Sequence, residues 1–206
     1  MGFAKKMQRK LKKKAQKGDK NAIREYNIAN AAVKESYVMQ LKRDRNCRKE
    51  AIHNLTASFL LAMHEGYGFG AGRLKRLQQK MQSEFDAITA GNVSVEEIAQ
   101  YLKEDLKLDV DIAADDPNAG HYRQIEFQAV KEMSAAFLMA MLDEFNFKTK
   151  RLSDAYDYVA DLSDKANANE ITYAEITEKV NKVMCRGEMD KTRFKAVTHK
   201  ERKMSA

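Results

Sequence analysis

Apolar residues recur at spacings of three and four along most of the chain. Nowhere do they alternate with period two for long enough to make a strand. Over 51–65, Ile52, Leu55, Phe59 and Met63 define one helical stripe, and Leu60, Leu61 and Ala62 add apolar side chains on its other faces. That pattern predicts a helix buried almost all round. A second predicted helix starts near Arg73 and carries Leu74, Leu77 and Met81. A third opens with Ser94 and has Glu97 three residues on, the capping-box spacing. Upstream, 21–49 lacks Gly and Pro. Ile23, Tyr26, Val33, Tyr37 and Leu41 fall there on one stripe, with Asn30 as a polar break. It predicts a helix that runs on into 51–65. Such a helix either packs its stripe on the chain's own body or pairs with another copy, with the asparagine fixing the register.

The same pattern occurs twice. A shift of 78 residues brings Ala51, Ala57, Phe59, Leu60, Ala62 and Met63 onto Ala129, Ala135, Phe137, Leu138, Ala140 and Met141 without a gap. It also brings Phe69, Arg73 and Leu74 onto Phe147, Arg151 and Leu152, and the Ser94–Glu97 box onto Thr172 and Glu175. A gapless match over about fifty positions points to duplication. The predicted fold is therefore all-α: a basic N-terminal helical arm followed by two tandem, duplicated three-helix units. The expected organisation is arm 1–49, repeat 50–110, acidic linker 111–127, repeat 128–186 and basic tail 187–206. The linker holds Pro117, the only proline, beside Asp115 and Asp116, and reads as an exposed loop.

Charge is partitioned along this plan. The whole chain of 206 residues carries 37 Lys+Arg against 30 Asp+Glu, a net +7. Residues 1–49 hold 16 basic and 4 acidic side chains, net +12. Residues 50–184 hold 14 and 23, net −9, and 185–206 hold 7 and 3, net +4. An acidic body bracketed by basic ends suggests contact with nucleic acid or a membrane surface. Two cysteines, Cys47 and Cys185, make no disulfide framework, which favours a reducing, cytoplasmic setting. No apolar run reaches the ~18 residues of a membrane span. Lys5 and Lys6 lead into more lysines, not into the apolar stretch of a signal peptide.

Candidate chemistry is sparse. The glycines of Gly66-Tyr67-Gly68-Phe69-Gly70-Ala71-Gly72 do not follow Gly-x-Gly-x-x-Gly, since Ala71 and Arg73 stand where glycine is needed, and no strand precedes them. What both copies keep is an aromatic pair followed by Arg-Leu. It reads as a helix C-cap with aromatics plugging the core, or as an aromatic-arginine surface for a protein partner built from Tyr67, Phe69, Arg73, Phe147 and Arg151. The spans 86–97 and 164–175 outline a calcium loop, but Ile88, Ala90, Ala166 and Ala168 occupy ligand positions. Cys47, Cys185, His53, His64, His121 and His199 show no metal-ligand spacing. No catalytic residues, metal ligands or cofactor site are expected.

The basic arm is the remaining feature. Lys5, Lys6, Arg9, Lys10, Lys12, Lys13, Lys14, Lys17 and Lys20 lie within twenty residues, and Phe3, Met7 and Leu11 repeat every fourth position. Gly18 is expected to end this helix. Arg43, Arg45 and Arg48 form a second cluster. These twelve residues are the expected nucleic-acid contacts, non-specific and phosphate-led. Anionic lipid and an acidic protein surface, including the body of a neighbouring copy, are the alternatives. Acylation at Gly2 does not fit, because Lys6 replaces the Ser or Thr the pattern requires.

The string His64-Glu65-Gly66-Tyr67-Gly68-Phe69-Gly70, then Arg73-Leu74-Lys75-Arg76-Leu77, then a capped helix, resembles small proteins encoded by phages and prophages of Gram-positive bacteria. Those often read HDEFGFGxxRL behind a Lys/Arg-rich N-terminus. The resemblance covers 1–110. Copy two, with Phe145-Asn146-Phe147 and Lys150-Arg151-Leu152, looks like a diverged second unit. Gly66 and Tyr67 depart from the acid and Phe usual there. The resemblance implies a setting, the cytoplasm of a bacterial host, and no activity.

Overall fold

The computed structural model describes the backbone of residues 2–108 and 118–185, and their side chains save those of 2–5 and 8. These residues form seven helices, and no strand occurs among them. They are α1 (Gly2–Gln16), α2 (Lys20–Tyr67), α3 (Ala71–Thr89), α4 (Val95–Glu104), α5 (His121–Phe145), α6 (Thr149–Asn167) and α7 (173–185). The protein is all-α. It divides into two compact units, one ending at Cys47 and the other beginning at Arg48.

In the first unit α1 stops where the sequence says it should. Gly18 takes φ +87°. Its N–H bonds the Ala15 carbonyl at 3.0 Å and the Asp19 N–H bonds that of Lys14 at 3.4 Å. These two bonds satisfy helix-end carbonyls in the Schellman manner, and only glycine adopts that φ without a Cβ penalty. Asp19 then starts α2, its carboxylate accepting from the amides of Asn21 (3.0 Å) and Ala22 (3.1 Å). α2 is one uninterrupted helix of 48 residues, as the absence of Gly and Pro across 21–65 allows. Of its stripe in this unit Ile23, Val33, Tyr37 and Leu41 are exposed, while Tyr26 and Asn30 are half-buried.

In the second unit the end of α2 and the middle of α5 form the centre. Residues 57–63 and 131–138 are buried without a break, which an amphipathic surface helix cannot be. Phe59 and Phe137 stack at the centre with centroids 4.1 Å apart and planes 15° from parallel. Around them pack Leu74, Leu77 and Met81 of α3, Val95, Ile98 and Leu102 of α4, Leu152, Ala155, Val159 and Leu162 of α6, and Ile176 and Val180 of α7. The polar members of this core are satisfied. Ser58 donates to the Asn54 carbonyl at 3.0 Å. Among the described residues, no buried side-chain N or O lacks a partner.

α5 begins inside the expected linker 111–127. Residues 109–117, Pro117 included, lie outside the described residues, but α5 already begins at His121 behind an extended Gly120. Residues 121–127 contain no Gly or Pro. They add a helical i,i+3 pair, Arg123–Glu126 at 3.6 Å, and Arg123 lies over Phe127, so the helix extends backwards through the expected boundary. The basic tail 187–206 lies outside the described residues.

Positions 78 apart repeat their local geometry. Gly68 and Asn146 both take positive φ, +62° and +52°, and so do Gly91 and Asn169, +75° and +59°. Phe69 N–H bonds Met63 O and Phe147 N–H bonds Met141 O, each at 3.1 Å. Both capping boxes form. The Glu97 amide bonds Ser94 Oγ at 3.1 Å and the Glu97 carboxylate accepts from the Ser94 amide at 2.8 Å. Thr172 and Glu175 do the same at 3.2 and 2.7 Å. The amide donated by the capping residue, then its hydroxyl, holds each carboxyl below the usual carboxylate range. A lowered folded-state value adds stability above the ordinary glutamate pKa and loses it as pH falls through the lowered one. Removing the cap hydroxyl, Ser94→Ala or Thr172→Ala, will cost about 1 kcal/mol at neutral pH. Urea midpoints measured at pH 7 and pH 3 check both points, since the double variant will lose less on acidification than the wild type.

Candidate nucleic-acid interface

α1 contains seven Lys or Arg residues and no Asp or Glu. At 100° per residue, the register positions of Lys5, Lys6, Arg9, Lys10, Lys12 and Lys13 fall within an arc of about 160°. Phe3, Met7, Leu11 and Ala15 occupy the other side, where Lys14 falls between the register positions of Phe3 and Met7. The side chains of Lys6, Arg9, Lys10, Lys12, Lys13 and Lys14 are exposed, as are Lys17 in the turn and Lys20 at the start of α2. Lys13 and Lys14 sit in the last turn of α1, where cations face the negative end of the helix dipole. Elsewhere on α1 the cations are neighbours at i,i+3 and i,i+4, so like charges crowd one another. A polyanion laid along that face relieves the crowding and releases its own counterions.

The second cluster does not assemble into one face. Arg43 and Arg45 are two residues apart on a continuous helix, and such positions point about 200° apart. Both are exposed. Arg48 is committed elsewhere: its guanidinium contacts the Glu132 carboxylate of α5 at 2.5 Å, with Glu132 itself largely buried. Gln128 donates to the same carboxylate at 2.9 Å, and Arg48 lies 5.8 Å from the Phe85 ring centre. Drawing the guanidinium away would strand that carboxylate. Arg48, its side chain one-third exposed, thus has an internal role beside the nucleic-acid contact expected of it from sequence.

The aromatic-arginine turns are internal. Phe69 and Phe147 are buried and Tyr67 is half-buried, so these rings are not a surface that a partner touches. They exchange between the two turns. Tyr67 packs on Phe147 at 5.0 Å and Phe69 on Phe145 at 4.8 Å, while Phe69 meets Phe147 edge-on at 6.3 Å. Tyr67 Oη donates to the Arg151 carbonyl at 3.1 Å. Burial pushes its pKa up, the Asp154 charge adds to that, and the Arg151 charge opposes it. Arg73 and Arg151 are exposed, each lying over the phenylalanine four residues before it, at 4.7 and 5.6 Å. Arg73 also donates to the Gly68 carbonyl at 2.8 Å, which ties down the positive-φ turn. Outside the turns the exchange continues. Tyr158 donates to Glu65 at 2.9 Å, and the residues 78 positions earlier and later, Lys80 and Asp143, pair at 3.3 Å.

No cluster of three or more His, Cys, Asp or Glu able to hold a metal occurs among the described residues. Glu97 and Glu175, the closing acids of the calcium-loop outlines, are occupied as helix caps. No helix among the described residues is long and apolar enough to cross a membrane. Comparison with family models, with curated proteins and with solved structures returned no match.

Proposed function

We propose that this chain is a non-enzymatic accessory protein of a phage or prophage that binds nucleic acid non-specifically through its basic arm, with the basic tail adding to the attraction. The reading is carried by one observation. α1 gathers six cationic positions into a single arc and contains no acid, whereas the chain from 50 to 184 is net acidic, 23 against 14. Such a face attracts phosphates without reading bases. The contacts assigned to it are Lys5, Lys6, Arg9, Lys10, Lys12, Lys13, Lys14, Lys17 and Lys20, with Arg43 or Arg45 adding to whichever side of α2 faces the strand.

The acidic body belongs to the same proposal as two duplicated three-helix units. The equal geometry of Gly68 and Asn146, of Gly91 and Asn169, and of the two capping boxes supports duplication. So does the exchange of aromatic partners, in which Tyr67 and Phe69 use Phe147 and Phe145 crosswise, the contact pattern of two like units related by a local two-fold. The alternative of a repeat module that grips a protein partner through its aromatic turns loses support, because those rings are spent on each other.

The test is a titration of a fluorescent 20-base-pair duplex, and of a single-stranded RNA of equal length, across a salt series. With about six phosphates neutralised, the association constant will fall about a thousandfold between 50 and 200 mM salt. Binding that does not change with salt rejects the reading.

A further inference from the structure

The part of α2 in the first unit carries an apolar face that the sequence leaves two ways to use. We propose that this face pairs with the same face of a second copy of the chain, making a two-stranded coiled coil over residues 23–41. Three observations lead there. First, Ile23, Tyr26, Asn30, Val33 and Tyr37 recur at 3-4-3-4 spacing, the a/d alternation of a heptad, which gives a narrow seam facing a parallel-running or antiparallel helix. Leu41 widens it at the neighbouring position, whereas Val38 lies about 100° round the helix from Tyr37. The other sides carry Arg24, Glu25, Glu35, Lys42 and Arg43, with Ile28 and Met39 exposed among them.

Second, the face is large enough for a weak, reversible dimer. Ile23 is 39% exposed, Val33 56%, Tyr37 64% and Leu41 46%. Together these correspond to roughly 430 Å² per chain and roughly 900 Å² when two copies cover each other, the low end of the interface range. Isolated exposed apolar residues need no explanation, but four on one stripe of one helix do.

Third, the seam is self-complementary. None of its a and d positions carries a charge, and the amides among them are Asn30 and, at the d position after Tyr37, Gln40. An asparagine at one a position meets its own counterpart across a two-fold and sets register and strand number at some loss of stability. A nucleic acid finds no cation along the seam, and its phosphates gain nothing there.

Charge gives the pairing a signature. Residues 1–47 hold 14 basic and 4 acidic side chains, net +10, so two copies repel. Salt screens that repulsion, with a Debye length of about 10 Å at 0.1 M and about 3 Å at 1 M. Pairing will therefore tighten as salt rises, whereas nucleic-acid binding weakens. The two proposals fail independently.

The experiment is sedimentation equilibrium of the full chain from about 1 to 200 µM, a range that captures micromolar affinity, at 0.1 and 0.5 M salt. The expected mass rises from 23.5 kDa toward twice that, and more readily at 0.5 M. Val33→Glu with Tyr37→Glu, both on exposed positions, will weaken the dimer at least tenfold with unchanged helicity by circular dichroism. In a background with Cys47 and Cys185 replaced by serine, Val33→Cys will cross-link on oxidation and Arg24→Cys, on the opposite side, will not. A single monomer mass at every concentration and salt overturns the proposal and points to another occupant. So does a dimer indifferent to the two glutamates, or equal cross-linking from both cysteines.

Discussion

Phe59→Ala will lower the unfolding free energy by about 3–5 kcal/mol, and Phe137→Ala by a similar amount. Both rings are fully buried, and each is the other's closest aromatic neighbour at 4.1 Å. The loss combines the transfer of a large apolar side chain with a cavity that two helices buried on every side cannot collapse to fill. The double variant will fall short of the sum of the singles by about 0.5–1.5 kcal/mol, the coupling expected of a stacked pair. Guanidinium denaturation of the four proteins of this cycle measures it. Additive losses below about 1 kcal/mol each would place the centre of the body elsewhere.

Replacing Lys6, Arg9, Lys10 and Lys13 together by glutamine will reduce duplex affinity about a thousandfold at 0.15 M salt, as four neutralised phosphates are lost. The slope of log affinity against log salt will become shallower by about 3.6, which is 0.9 for each lost contact. Glutamine keeps nearly the helix propensity of lysine and arginine, so α1 survives and the charge alone changes. Arg73→Gln with Arg151→Gln, removing two exposed cations from the second unit, will leave duplex affinity within about twofold, the size of a distant charge effect under screening. Anisotropy titrations of the three proteins against one duplex settle which cations carry binding.

The elements of this fold were legible because each rests on short-range rules. Gly18 as a terminator, Ser94 and Thr172 as caps, and the three-and-four spacing of Leu74, Leu77 and Met81 all act within a few residues. The predicted all-round burial of the helix over 51–65 follows from its composition, and residues 57–63 are buried in sequence. What the sequence left open is set by distant partners. Arg48 looked like one more cation in a basic run, and nothing local announces that Glu132, 84 positions on, will hold it. Phe69 and Phe147 sit beside exposed arginines in a glycine-marked turn, so a surface role stands beside the core role in the sequence, and the rings take the core role by meeting those of the other turn. Glu132 is the residue sequence reasoning missed. Its twin position is Asn54, and a carboxylate new to one copy, beside Lys131 in a largely apolar run, was the available signal.

The exchange of rings between the turns also governs how the body is made. A ribosome delivers Phe59 and Phe69 long before Phe137, Phe145 and Phe147 exist. The first three-helix stretch can coil as it emerges, since helix formation needs only near neighbours. Its apolar centre stays uncovered until about eighty further residues have been added, and contacts at that separation close late. During that interval the nascent chain displays two phenylalanines and a half-covered tyrosine to the cell, which makes the growing protein a client for chaperones at one defined stage of its synthesis.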